Sequence, residues 1–431
     1  MSESTPQADG GWGSPILDAT QVDRAVAAFR QAFGDAPTCA GVAPGRVEVL
    51  GNHTDYNGGL VLAAAIDRTI VVVGRESAQP QIRIVALDCA ERAEFGLAEL
   101  LARDTPATSL PTAGQYWADL MRGSLRALYD ARVSVLPFDA VLTGSIPIGA
   151  GLSSSAALTV ATAMLQRGLQ AIAAGRGAPM SRGVADLSLI DLARAMQQAE
   201  HLAVGVRCGL LDPFASLHGR QDALLVLDSA AATGQAVSFG GQAPALVVID
   251  SKQSRALGQT AYNDRRDECE RAAAQVSIAL GRPVPHLCSV TPGELAQAEP
   301  LLDDDVCRRA RHVISEQARV REAIEAVQAG DAARLGALMR ASQLSSMRDF
   351  DNSTDRLDLI CRIADAQPEC DGGRLCGAGW GGCTIHLVAP DAAAAFAQRV
   401  ASAVETASSA PVEAHVLRAS DGASYLLHPL G

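Results

Sequence analysis

Apolar residues recur at helical spacing in 21–34, where Val22, Val26, Phe29 and Phe33 share one face, so this stretch predicts a short helix. Val47–Leu50 and Gly59–Val73 are β-rich instead, the second read as two runs that include Ile70–Val73. Helical patterns follow at 91–103 and 115–129, then a strand at 138–144, a Gly/Ser-rich turn and an Ala-rich helix over Ala156–Gly175. After a polar break at Arg176–Arg182, Leu189, Leu192, Ala193 and Met196 line one face of a helix over Leu187–Val204. Strand-like runs at Ala223–Leu227 and Ala245–Ile249 open the second half, and three helical stretches come near 260–280, 304–328 and 331–340. The chain closes with a Gly-rich turn at 372–382, a strand at 383–388, an Ala-rich helix at 391–407 and a final strand at 412–417. No internal repeat is visible, and the lack of regular βαβ alternation predicts an α+β fold of two layered lobes rather than a Rossmann sheet.

Length divides this pattern further. At 431 residues the chain suits two domains, expected at 19–220 and 221–431 after a flexible lead-in at 1–18. Apolar residues make up 48% and aromatics 4%, so the core is expected to be aliphatic. A net charge of −12 argues against nucleic acid or an anionic membrane as a partner, because neutralising phosphates needs a basic surface. The ten cysteines contain no CxxC pair, which fits reduced thiols in a cytoplasmic protein and gives no support to a zinc site. The first fifteen residues lack the charge and apolar run of a signal peptide, and Asp67 and Arg68 interrupt the one long apolar run. Oligomeric state cannot be read from the pattern.

The chemistry concentrates in a few places. GSIPIGAGLSSSAAL (144–158) follows a strand and opens a helix. Gly149 and Gly151 allow a tight turn, and the free N–H groups and dipole of a helix start attract anions. Ser153, Ser154 and Ser155 add hydroxyls, one of which could ligate Mg²⁺. Taken alone, this loop reads equally well as a turn whose serines cap the helix, and it is not a Walker A loop, since no Gly-Lys-Ser/Thr follows. Asp212 stands before Pro213, a pattern that by itself suits a helix N-cap with Asp212 in extended geometry.

The segment from Pro147 to Ala157 resembles the central motif of the GHMP kinases (galacto-, homoserine, mevalonate and phosphomevalonate kinases). PGRVEVLGNHTDYNGG (44–59) resembles the galactokinase signature, usually PGRVNLIGEHTDYNGG, and GAGWGGCT (377–384) resembles the glycine-rich third motif. Further likenesses in family order extend from about residue 40 to 422. The resemblance implies the two-lobed GHMP fold with its site in the cleft, and an ATP- and Mg²⁺-dependent kinase acting on a galactose-like sugar or polyol to give a sugar 1-phosphate. Residue by residue, it implies Asp212 as catalytic base and Arg46 as its partner. Asn52, His53, Asp55, Tyr56, Gly209 and Tyr262 would face the sugar. Trp117, Gly149, Ala150, Gly151, Leu152, Ser153, Ser154, Ser155 and Ala156 would hold ATP, and Ser155 and Glu200 the Mg²⁺.

The chain departs from the pattern at Asn52, where Glu is usual, and at Glu48, where Asn is usual. One reading is a compensated exchange. The other is altered specificity, in which a neutral Asn52 admits a phosphorylated sugar or phosphorylated cyclitol. Pro213 replaces the usual Gln, and Gln343 stands where His is frequent. Two competing readings are a non-catalytic sugar sensor, which the complete serine loop with Asp212 and Arg46 opposes, and another GHMP kinase, which the His53–Asn57 turn opposes.

Overall fold

Residues 18–102, 115–176, 182–253 and 258–427 are described by a computed structural model. The expected lead-in, apart from Asp18, and most of the 176–182 break lie outside the described residues. In chain order the elements are α1 (Ala19–Phe33), β1 (Cys39–Leu50), β2 (Leu60–Glu76), β3 (Gln81–Ala86), β4 (Glu91–Gly96), α2 (Leu97–Leu100), α3 (Tyr116–Asp130), β5 (Phe138–Gly144) and α4 (Ser154–Gly175). Then come α5 (Leu189–Val204), α6 (Leu211–His218), β6 (Ala223–Asp228), β7 (Thr233–Ser238), β8 (Ala245–Asp250), α7 (Gly258–Leu280) and α8 (Pro292–Ala298). The last group is α9 (Asp304–Ala329), α10 (Ala332–Ser345), α11 (Asp355–Asp365), β9 (Cys370–Cys376), β10 (Cys383–Val388), α12 (Ala393–Ser408), β11 (Glu413–Leu417) and β12 (Ser424–Leu427).

These strands build two sheets among the described residues. The larger has the order β12-β1-β2-β5-β3-β4, with β6 on β2 and β7 on β6; the smaller runs β11-β8-β10-β9. Among the described strands, only β3 and β5 pair in parallel. The mixture of helices and largely antiparallel sheets is the expected α+β class. Sheet membership and the expected division near residue 220 do not coincide, because β6, β7 and β12 all join the larger sheet.

The two β-rich runs at 59–73 are one strand. Asp67 and Arg68 sit where the β1–β2 register shifts, between the pairs Pro44↔Thr69 and Arg46↔Ala65. There Asp67 bonds Arg418 through both its backbone N–H and its carboxylate, so the polar pair interrupts the apolar run without ending the strand. The bulge that results turns the second half of β1 toward the phosphate-loop segment: Arg46 N–H donates to the Leu152 carbonyl at 3.1 Å. Helix α4 is apolar on nearly every face and packs against the sheet with α3, α5 and α6 around it. Its side chains are mainly Ala and Leu, and a core of this kind gains roughly 1.5–3 kcal/mol for each large aliphatic group buried.

Several expectations need correction. The helix expected at 91–103 is, over the described residues 91–102, the edge strand β4 followed by the single turn α2; ERAEFG alternates in exposure and pairs with β3. The 372–382 turn begins later, because Cys370–Cys376 is a strand paired with β10. The strand at Glu413–Leu417 is not the last, since β12 adds to the other edge of β1. The short elements β3, β7, α8 and α11 were not predicted; their short or polar patterns acquire a face only from the neighbours they pack on.

Candidate active site

The loop between β5 and α4 turns through Gly149 (φ 79°) and Gly151 (φ 82°), left-handed geometry that glycine adopts without strain. Ser153 is left-handed too, at φ 57°, which is uncommon for a residue with a side chain. It occupies the N-cap of α4 but makes no side-chain cap bond. Its hydroxyl instead donates to Asp212 Oδ2 at 2.5 Å. Asp212 Oδ1 accepts from Arg46 Nε at 2.7 Å and faces Arg46 Nη2 at 2.7 Å, while Arg46 Nη1 donates to the Gly151 carbonyl at 2.7 Å. One buried guanidinium thus ties β1, the phosphate-loop segment and α6 together.

Asp212 is not the N-cap expected of it. Helix α6 starts at Leu211 with Leu210 as N-cap, and Asp212 lies inside the first turn. Its carboxylate is held by Arg46 and Ser153, which leaves its own helix uncapped. Pro213 fits there because first-turn N–H groups have no intrahelical partner. Ser216 Oγ fixes the helix to β1 by donating to the Pro44 carbonyl at 2.7 Å.

A cavity of about 190 Å³ opens beside this pair. Of the predicted site residues, Arg46, Asn52, His53, Asp55, Ser155, Glu200, Gly209, Asp212 and Tyr262 border it. Tyr56, Trp117, Gly149, Ala150, Gly151, Leu152, Ser153, Ser154 and Ala156 do not. Tyr56 stands one layer back, its hydroxyl 2.9 Å from His53 Nδ1. Trp117 packs on the main core, and its indole N–H donates to Glu91 Oε2 at 2.5 Å.

The electrostatics of the cavity are uneven. Among the described residues Glu200, on α5, has Ser155 Oγ at 3.4 Å and Cys208 Sγ at 3.9 Å as its hydrogen-bond partners, both on Oε2. Its Oε1 is buried without a hydrogen bond. Burial, then the nearby Asp212 charge, push this carboxyl up to about 8. Asp55 is pushed up to about 7 by burial first and then by Glu48 and Asp212. It can lie where it does only because residue 209 is glycine: a Cβ there would meet Asp55 Oδ2 at 1.5 Å. His53 is driven down to about 3, mainly by burial, so it is neutral; Nε2 lies 3.1 Å from the Ala378 carbonyl and its ring stacks on Phe350 at 4.4 Å.

The sequence reading missed several bordering residues, among them Tyr116, Val206 and Cys208, and much of the layer behind them. Asn52 is 1% exposed and wholly engaged: Nδ2 donates to Glu48 Oε1 at 3.1 Å and to the Gly377 carbonyl at 2.8 Å, and Oδ1 accepts from Asn352 at 2.8 Å. Glu316 Oε1 accepts from the backbone N–H groups of Gly51 (2.9 Å) and Asn52 (3.1 Å). Gln343 lies apart from the cavity, bridging Ser353, Asp358 and the Leu375 N–H. Tyr116 carried a signal, since it adjoins the Trp117 segment. Glu316 carried none, because nothing near it in sequence distinguishes it from a surface helix glutamate.

Beside the glycine-turned loop, Ser155, the clasped aspartate and a second carboxylate border one cavity, an arrangement suited to a phosphotransferase of the GHMP kinase fold. Family models agree: the GHMP kinases N terminal domain matches residues 119–220, the GHMP kinases C terminal domain 323–406, and the galactokinase galactose-binding signature 27–76. The chain is 34% identical over 394 residues to the galactokinase of Roseiflexus sp. (strain RS-1), covering 91% of this chain and 94% of that protein. It is 35% identical over 370 residues to the galactokinase of Chloroflexus aurantiacus, covering 86% and 89%. Among solved structures, Lactococcus lactis galactokinase complexed with galactose superimposes with a TM-score of 0.83 at 26% identity, covering 93% of this chain and 98% of that one. Methanococcus jannaschii mevalonate kinase, at TM-score 0.58 and 15% identity over 88% and 98%, shares the fold.

The chain belongs to the galactokinase family. It is a kinase that uses ATP and an alcohol group as acceptor. Among the described residues, no helix is long and apolar enough to cross a membrane.

Proposed function

We propose that this chain is a cytoplasmic sugar kinase that moves the γ-phosphoryl group of ATP to a hydroxyl of a galactose-like sugar, giving a sugar 1-phosphate. The observation that carries this reading is the clasp on Asp212, with Arg46 on one oxygen and Ser153 on the other, in the same cavity as Ser155 and Glu200. Asp212, paired with Arg46, orients the acceptor hydroxyl and takes its proton as the oxygen attacks phosphorus. The N–H groups at the start of α4 hold the phosphates. Asp55 and Tyr262 face the ring hydroxyls, and neutral His53 braces the turn that presents Asp55.

Mg²⁺ fits Ser155 and Glu200. The buried Oε1 of Glu200 has no hydrogen-bond partner among the described residues, and one carboxylate with one hydroxyl is a usual protein share for this ion. When bound, Mg²⁺ neutralises charge on the phosphate oxygens. Among the described residues, no cluster of three or more His, Cys, Asp or Glu offers a rival metal site.

The test is ADP release from MgATP against galactose, glucose, N-acetylgalactosamine, arabinose and sugar 6-phosphates, with Asp212→Asn as control. Turnover of galactose, abolished in the control, supports the reading. Tight ATP binding with no turnover of any sugar overturns it and favours a ligand sensor.

A further inference from the structure

We infer that Glu48, held in place by Arg374, selects the substrate at the sugar end of the cavity: it accepts a hydrogen bond from a neutral hydroxyl and shuts out substrates with a negative charge there. This rests on the sugar-kinase reading above. Glu48 borders the cavity from the bulged end of β1. Its Oε1 is saturated, accepting from Arg374 Nη1 at 2.8 Å and Asn52 Nδ2 at 3.1 Å. Oε2 takes no hydrogen bond among the described residues, so it is the oxygen left for a ligand.

Two observations fix Glu48 in that role. Arg374, from β9 of the smaller sheet, is completely buried, and its Nε and Nη2 have no partner. The Glu48 carboxylate is the countercharge this guanidinium contacts directly, so turning it away would strand a buried cation. Asn52, though it borders the cavity, has both amide hydrogens and its oxygen committed within the protein and offers nothing to a sugar. The carboxylate at this place therefore comes from position 48, and the amide beside it serves as its support.

The charge around the cavity sets the substrate class. Glu48, Asp55, Glu200 and Asp212 all border it, whereas Arg46 is the sole Lys or Arg among the described lining residues and is committed to Asp212. A phosphate or carboxylate placed beside Glu48 would meet its carboxylate and no available cation. This disfavours the phosphorylated sugar or cyclitol that a neutral Asn52 suggested.

The test is steady-state kinetics of the full chain with MgATP and galactose or galactose 6-phosphate, comparing the parent with Glu48→Gln, Asn52→Glu and the double exchange Glu48→Asn/Asn52→Glu. The parent is expected to turn over galactose and reject the 6-phosphate. Glu48→Gln keeps an oxygen for Arg374 but loses the charge, and should raise KM for galactose about tenfold or more, with kcat and KM for MgATP within a few-fold. Asn52→Glu alone should do as badly or worse, because it sets two carboxylates side by side, and the double exchange should regain most of the loss. A purely structural role would lower kcat and weaken both substrates together. If Glu48→Gln does not fold, Glu48→Asp carries the same comparison, since it keeps the charge on Arg374 while withdrawing the oxygen from the sugar. An unchanged galactose KM, or a parent that prefers the 6-phosphate, overturns the inference while leaving the kinase reading intact. If the parent turns over neither compound nor any other sugar of the wider panel, the sugar-kinase reading itself falls.

Discussion

Glu200 and Glu316 are both buried glutamates on helices, yet the protein treats them in opposite ways. Glu316 is saturated: Oε1 accepts from Gly51, Asn52 and Ser342, and Oε2 accepts from Arg319 at 2.7 Å. Burial alone would raise its proton affinity, but Arg319, Arg374 and the backbone N–H groups overcome that and hold it far below the ordinary carboxylate range. Glu200 has one distant hydroxyl, one thiol and an orphaned oxygen, and burial pushes it up to about 8. The contrast separates a carboxylate whose bonds hold the protein together from one left underbonded at the edge of the cavity, as the proposed Mg²⁺ role requires. Burial by itself says nothing about which is which; the partners decide.

The sharpest way to break this distinction is to neutralise the proposed catalytic carboxylate. Asp212→Asn should lower kcat by roughly 10²–10⁴-fold while its melting temperature stays near the parent's. A variant that unfolds without losing turnover per folded molecule would make Asp212 a structural residue like Glu316. Glu316→Ala should do the reverse. Leaving Arg319 and part of the Arg374 field uncompensated should cost on the order of 3–5 kcal/mol, read from urea denaturation. An unchanged midpoint would show that the saturated carboxylate is not structural.

Glu200→Gln should stabilise the ligand-free protein at pH 8 by on the order of 2 kcal/mol, because it removes a charge buried without partners. Its effect should also depend on pH. With the folded-state group at about 8 and an unfolded value near 4.5, the folded protein binds the extra proton between these limits. That contribution is whole below about 4.5 and is lost as pH rises through about 8, so the parent should lose stability across this window and the variant should lose less. Glu316 has the opposite sign, its contribution vanishing only as pH falls below its unfolded value. Equal slopes for parent and Glu200→Gln, measured without Mg²⁺, would remove the difference between the two glutamates. The smallest effect should come from Ser153→Ala, which frees one oxygen of Asp212 and should change kcat by about three- to tenfold with little change in stability.

Much of the site was legible in the chain. The phosphate-loop segment, Arg46, Asp55, Glu200, Gly209 and Asp212 stand in short motifs whose residue types carry their chemistry locally, and the structure brings those named side chains to one cavity or its wall. The long amphipathic and Ala-rich helices were legible for the same reason, since ten or more residues of periodic pattern outweigh any single neighbour. Edge strands were not. β4 carries charged residues at alternate positions, and β9 carries two adjacent glycines, so each became a strand only by pairing with β3 or β10. The geometry of Asp212 was misjudged because the proline rule is local, while the pull of Arg46 comes from 166 residues away.

What the sequence determined alone is the set of parts: a glycine- and serine-rich loop before a helix, an aspartate and an arginine in separate motifs, an aliphatic α+β chain, and an exchange of Glu and Asn at 48 and 52. What the exchange does could be decided only in three dimensions. Positions 48 and 52 are a few residues apart in the chain, but their meaning depends on Arg374, Asn352 and Gly377, about 300 residues away in sequence, which saturate Asn52 and leave Glu48 one free oxygen. Hydrogen-bonding capacity is a local property of a residue type; whether that capacity is already spent depends on which distant groups the fold delivers to it.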